Sequence, residues 1–140
     1  LSTYQAVAVC QHEYVPKSDT KFLGQKQEAY PRKLWSAVTL FNCSSQKCKN
    51  LTPLVVNTQS GAYLHRFEWV GNDPERIGSI PEEWHWIPNH SEARVKVEDA
   101  KLIHYTECGP WFPEYKDKGS KEERVWLEEH ARIICKAAIS

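Results

Sequence analysis

The chain contains no methionine in its 140 residues and opens at Leu1, so the expectation from the sequence is that a native start lies outside it. It has no excess charge of either sign: 18 Lys and Arg balance 18 Asp and Glu, which removes the basic field that drives binding to nucleic acid or to an anionic membrane. No apolar run exceeds a handful of residues, so no segment reads as a bilayer span. The start, Leu1-Ser2-Thr3-Tyr4, lacks the charged and apolar regions of a signal peptide. A soluble chain, with cytoplasm as the default compartment, is expected. An even cysteine count is also missing. The five cysteines (Cys10, Cys43, Cys48, Cys108, Cys135) are irregularly spaced, which argues against a disulfide framework and for reduced thiols. Cys43 and Cys48 have no second pair at zinc-finger spacing. Sequons begin at Asn42, Asn50 and Asn89, but such triplets also arise by chance.

What is present suits one modest α/β domain: 41% hydrophobic residues, 26% charged, and no internal repeat. Tyr4 to Cys10 is small, apolar and β-branched, the composition of a buried strand. The polar stretch from Gln11 to Lys33 has neither strand nor helix period and reads as a long loop, with or without a short helix. Leu34 to Asn42 reads as a second buried strand. Thr52-Pro53 is a helix start, with a brief helix over Leu54 to Asn57, and a second helix is expected from Ala62 to Val70 before Gly71-Asn72-Asp73-Pro74. Ile77 to Ile80, Trp84 to Ile87 and Lys101 to Tyr105 make the middle of the chain strand-rich. Ser120-x-x-Glu123 is a capping box, and Trp126, His130, Ile133, Ile134 and Ala137 then recur at helical spacing, predicting a C-terminal amphipathic helix over roughly 120–140.

The densest polar and aromatic cluster runs from Ile103 to Phe112, where His104 closes a strand and Gly109-Pro110-Trp111 follows. An imidazole at a strand end suits a divalent metal, and a glycine there lets a phosphate approach the backbone; a histidine that merely caps a turn is the plainer reading. Four segments in order carry a resemblance. They are Leu34 to Asn42, Tyr63 to Trp69, Ile80-Pro81-Glu82-Glu83-Trp84-His85, and His104 to Trp111. Their order and spacing resemble the F-N-S/A-G-V-x-L-I-N strand, the Asp-Gln helix, the P-x-x-W-N segment and the H-F/Y-x-G-x-x-K-P-W motif of GT-A type glycosyltransferases. The chain is similar to the C-terminal half of family 8 and its bacterial and phage-type relatives along roughly Tyr4 to Trp126.

The resemblance implies a partial GT-A-like mixed sheet with short helices. It also implies sugar transfer from a nucleotide-sugar, usually UDP-linked, to a carbohydrate acceptor, with manganese or magnesium offsetting charge on the departing diphosphate. Carried over residue by residue, His104 matches the family's metal-binding histidine. Gly109, Pro110 and Trp111 match the end of the same motif near the diphosphate. Trp35 and Ser36 fall where the family contacts the donor sugar, and His65 and Arg66 stand in place of Asp-Gln. Glu82, Glu83, Trp84 and Trp86 border the acceptor side, and Trp84, Trp86 and Trp111 offer aromatic faces for a pyranose ring. His12 and Glu13 end the first strand and face the same cleft.

Two departures stand out. Gly109 replaces the family's lysine, leaving Arg32 and Lys33 as the nearest cations for the diphosphate. No Asp-x-Asp occurs, and a lone histidine holds a hard cation poorly. The chain thus carries about half of a GT-A domain, which leaves a sheet edge and a core face to be covered and predicts a homo-oligomer. A catalytically inactive carbohydrate- or protein-binding remnant is the alternative reading. A metal hydrolase built on His12, His65, His85, His90 and His104 is a third, but it lacks H-E-x-x-H or any comparable spacing.

Overall fold

In a computed structural model of the chain, described at residues 2, 4–16, 18–21, 24–26, 29–71, 73–106, 108–117 and 119–137, a three-stranded mixed sheet is followed by short helical turns and one long C-terminal helix. Strand β1 (Val7–Val9) lies at its centre. On one side β1 pairs antiparallel with β4 (Thr39–Phe41), Val7 opposite Phe41 and Val9 opposite Thr39; on the other it pairs parallel with β5 (Ile77–Ser79), Val7 opposite Ile77 and Val9 opposite Ser79. All three β1 residues are buried, as their apolar, β-branched run predicts for a strand covered on both faces. Val7, Val9 and Ile77 pack with Ala6, Phe67, Trp69 and Val70, and Trp35, Leu51 and Leu64 close the rim.

Short elements wrap this centre. Within the stretch read as a loop, β2 (Thr20–Lys21) and β3 (Gln25–Lys26) form a two-residue ladder. Helix α1 (Pro53–Thr58) starts as its sequence directs, the Thr52 hydroxyl accepting from Val55 N at 3.2 Å with Pro53 at the first position. The single helix expected over 62–70 is divided. Helix α2 (Gly61–His65) ends, Phe67 adopts a left-handed backbone at φ 59°, and a 3-10 turn over Glu68–Val70 buries Trp69 and Val70. Folding those two side chains into the core is what stops the helix.

The strand expected over 34–42 keeps only its second half. Arg32 and Leu34 have positive φ, Trp35–Ala37 is a 3-10 turn, and the Trp35 indole N–H donates to His12 O at 2.9 Å. That tertiary bond turns the backbone away from the sheet. Residues Leu40 and Phe41 are exposed, so β4 is an edge strand rather than a buried one. Trp84–Ile87 is likewise not a strand: Glu82–His85 forms a 3-10 turn, and the Lys101–Tyr105 strand reduces to one parallel bridge between Trp86 and Ile103.

Helix α3 (Lys121–Ala137) has the expected start, with Ser120 Oγ accepting from Glu123 N at 3.2 Å. The reciprocal bond reaches further back than in a standard capping box, because the Glu123 carboxylate accepts from Asp117 N and from Gly119 N. Glu123 is the helix's buried residue, whereas Ile133 and Ile134 are exposed. Among the described residues, no helix is long and apolar enough to cross a membrane.

Candidate functional site

Because β1 and β5 are parallel, the segments that follow them leave the sheet on the same side, and open α/β sheets gather ligands at such carboxyl ends. Cys10 to His12 follow β1, and Ile80 to His85 follow β5. The two segments meet through histidines. His12 Nε2 lies 2.8 Å from His85 O, so this ring nitrogen donates to the carbonyl. His85, fully buried, shares a 2.9 Å hydrogen bond from its Nε2 to His104 Nδ1, and the two rings stack at 5.1 Å. His104 is brought there by the Trp86–Ile103 bridge, its N–H donating to Trp86 O at 2.8 Å. The His90 ring stands edge-on to His12 at 5.2 Å.

Glu82 supplies the charge beside this row. Its Oε1 lies 3.7 Å from His12 Nδ1 and accepts from Ser91 Oγ at 2.6 Å, while Arg94 grips both carboxylate oxygens at 2.8 Å. Burial alone would raise the Glu82 pKa, but the Arg94 and Ser91 hydrogen bonds, with the Arg94 charge, hold it below the ordinary carboxylate value. Burial pushes His85 down to about 3, aided by the neighbouring His12 and His104, and lowers both of those as well. The buried Cys10 thiol is raised to about 11, by desolvation first and then by the Glu82 charge. The result is a row of neutral imidazoles beside an ionised carboxylate at neutral pH.

The residues matched to the donor sugar do come together. Ser36 Oγ lies 2.7 Å from His65 Nδ1, and Arg32 donates to Arg66 O at 2.6 Å. Arg66 and Lys33 both lie over the Tyr30 ring, and Arg32 over Trp35. Arg32 and Arg66 border an open cleft of about 580 Å³ whose lining also includes Glu68 and Gly71. Trp35 couples this group to the histidine row through its bond to His12 O.

Gly109 and Pro110 are buried in the wall of a separate cleft of about 290 Å³ that also includes Asn89, Tyr105, Cys108 and Glu122. Here one expectation is corrected: the space beside Gly109 is filled by the Trp111 ring, which a Cβ would meet at 2.1 Å, so the missing side chain admits an indole rather than a phosphate. Tyr105 packs edge-on against Trp111 at 5.4 Å and donates its hydroxyl to Glu122 O, and burial with the Glu122 charge raises that phenol to about 12.

The acceptor-side aromatics separate by burial. Trp84 is 52% exposed. Trp86 is fully buried with its N–H committed to Val95 O at 2.8 Å, which corrects its reading as a sugar-stacking residue. Glu83 is half-buried, and its carbonyl receives Lys101 N and Leu102 N.

Over 126 residues the chain is 44% identical to Protein CDI of Arabidopsis thaliana. The match covers 89% of this chain and 47% of that protein, so the chain spans about half the length of the curated relative it matches. No family model matches the chain, and no solved structure does.

Ser91 and Arg94 are site residues that the sequence did not single out, and it offered His85 only among the histidines of the hydrolase alternative. Their sequence signal is position: His85 stands three residues after Glu82 on the segment leaving β5, and Ser91 and Arg94 follow on the next turns. His12 and Glu82 were legible as cleft-lining residues, but not as partners of each other.

Proposed function

We propose that this chain is the donor- and acceptor-side portion of a glycosyltransferase of the GT-A kind, moving a sugar from a UDP-linked donor to a carbohydrate acceptor. The observation that carries the reading is the placement of His104. That residue, matched to the family's metal-binding histidine by motif, is drawn by His85 to the segments leaving the parallel pair β1 and β5, where ligands of such sheets gather. The Arg32 and Arg66 pair supports it, because cations on an open cleft are what a diphosphate requires, and Trp35 ties that group to the histidine row.

A manganese or magnesium ion belongs to this reading, but the described residues do not complete a site for one. Hard cations take oxygen ligands, whereas the side chain hydrogen-bonded to His104 is the His85 imidazole, and among the described residues no group of three potential metal ligands includes His104. No step is therefore routed through a metal. What this chain's own residues do is bind: Arg32 and Arg66 offset diphosphate charge, Ser36 and His65 face the donor, and Trp84 offers a ring face to a sugar. Exposed Leu40 and Phe41 on the β4 edge, with Ile133 and Ile134 on α3, support assembly with a second chain as part of the same proposal.

Thermal shift with UDP tests the reading, since a ligand of the folded state raises its melting temperature. UDP at millimolar concentration is expected to raise Tm, manganese to enlarge the rise because the diphosphate brings oxygen ligands, and Arg66→Ala to abolish it. No shift with UDP, together with a shift from oligosaccharide alone, would refute donor binding and leave a carbohydrate-binding module resting on Trp84.

A further inference from the structure

The His12, Glu82 and His90 side chains form a cluster that the glycosyl-transfer reading does not use. One ligand atom from each lies within 4.8 Å of the others. The geometry of His12 is that of a ligand held from behind. Its Nε2 donates to His85 O, which fixes the tautomer and turns Nδ1 toward Glu82, the same backbone-carbonyl support that orients metal-binding histidines. A neutral imidazole then presents a lone pair at Nδ1, and an ionised carboxylate presents only lone pairs, so two acceptors face one another 3.7 Å apart. Such a pair calls for a cation between them. His90, edge-on to His12, brings a third donor to the same point.

We propose that His12, His90 and Glu82 bind one transition-metal ion of the zinc class. Two imidazoles and one carboxylate suit zinc, nickel or cobalt, not the oxygen-seeking magnesium or calcium, and three protein ligands leave a fourth position open. Zinc donors stand roughly 3.3 Å apart at bond lengths of about 2.0–2.2 Å, so small side-chain rotations close the cluster. Oε1 now accepts from Ser91 Oγ and Arg94 Nη2, so these two bonds open when Oε1 turns to the metal, while Arg94 Nε keeps its hold on Oε2. The Arg94 charge weakens the site for any cation, so the affinity rests on the two imidazoles. The proposal is independent of sugar transfer and does not involve His104.

Equilibrium dialysis of the full chain against zinc, followed by elemental analysis, tests it, with cobalt as a spectroscopic probe. The free cysteines compete for soft metals, so both measurements use a Cys43→Ser, Cys135→Ser background that keeps the core intact. One equivalent of zinc is expected, with affinity falling at least about tenfold in His90→Gln and again in Glu82→Gln. Circular dichroism of each metal-free variant checks that the fold is kept. Visible cobalt bands of tetrahedral form, without thiolate charge transfer, are expected. The proposal is overturned if the folded chain binds no zinc, if stoichiometry and affinity survive in both variants, or if the cobalt spectrum shows thiolate ligation.

Discussion

Replacing Gly109 with alanine places a methyl carbon 2.1 Å from Trp111 Cζ3, 2.3 Å from Cη2 and 2.7 Å from Cε3. No rotamer of a methyl relieves such contacts, so the indole must move. Gly109 is not among the glycines of positive φ, so the cost is steric and carries no backbone term. The ring is half-exposed and has room to swing outward, but it then leaves Tyr105 at 5.4 Å, Trp126 at 5.8 Å and Phe112 at 6.2 Å. Aromatic pairs contribute about 0.5–1.5 kcal/mol each beyond burial, and overpacking costs about 1–3 kcal/mol, so Gly109→Ala is expected to destabilise by about 1–3 kcal/mol. For a domain of this size that is a fall in Tm of roughly 3–10 °C. Near-ultraviolet circular dichroism should weaken as the aromatic stack opens. The decisive control is a cycle with Trp111→Ala: with the indole gone, Gly109→Ala should cost almost nothing. An unchanged Tm for Gly109→Ala, or the same loss in both backgrounds, would refute the packing argument.

Acid should destabilise the protein early. His12, His85 and His104 have folded pKa values below their ordinary 6.5, so the unfolded chain binds more protons under acid. Their stabilisation is complete above pH 6.5 and declines as pH falls, for His85 down to about 3, at up to about 1.4 kcal/mol per pH unit per histidine. Glu82, also depressed, adds a loss in the same direction below its ordinary 4.5. A Tm that is flat from pH 7 to pH 5 would contradict the buried neutral row. The two acceptor-side tryptophans should part company: Trp86→Ala is expected to cost about 3–5 kcal/mol, and Trp84→Ala within about 0.5 kcal/mol. Urea unfolding measures both, and equal costs would show that the burial assignments are wrong.

The parts of the fold that were legible in the sequence are those set by local chemistry. Ser120-x-x-Glu123 and the spacing of Trp126, His130 and Ile133 specify α3, Thr52-Pro53 specifies the start of α1, and Val7-Ala8-Val9 specifies a buried strand. What was not legible was set by contacts across long stretches of chain. The apolar run at Leu34 to Phe41 has strand composition throughout, yet the Trp35 bond to His12 O turns its first half into a 3-10 turn. Trp84 and Trp86 are alike in sequence, and only the bridge to Ile103 decides which is buried. His104 was singled out by motif, but its partnership with His85 crosses 19 positions, and that of His85 with His12 crosses 73. No local period encodes such a pairing. Glu82 was placed on the right segment, while the Arg94 and Ser91 that hold it belong to turns whose residues look like ordinary surface.

The central claim is that a UDP-linked donor sits against His104 at the segments leaving β1 and β5. Histidine-detected nuclear magnetic resonance with paramagnetic manganese tests it most directly, by recording each imidazole with UDP alone, manganese alone, and both. The account predicts that His104 broadens when UDP and manganese are present together, and not with UDP alone. If no histidine responds to the combination, or if the His104 resonance behaves identically with and without UDP, the donor does not sit at His104 and the glycosyltransferase reading fails.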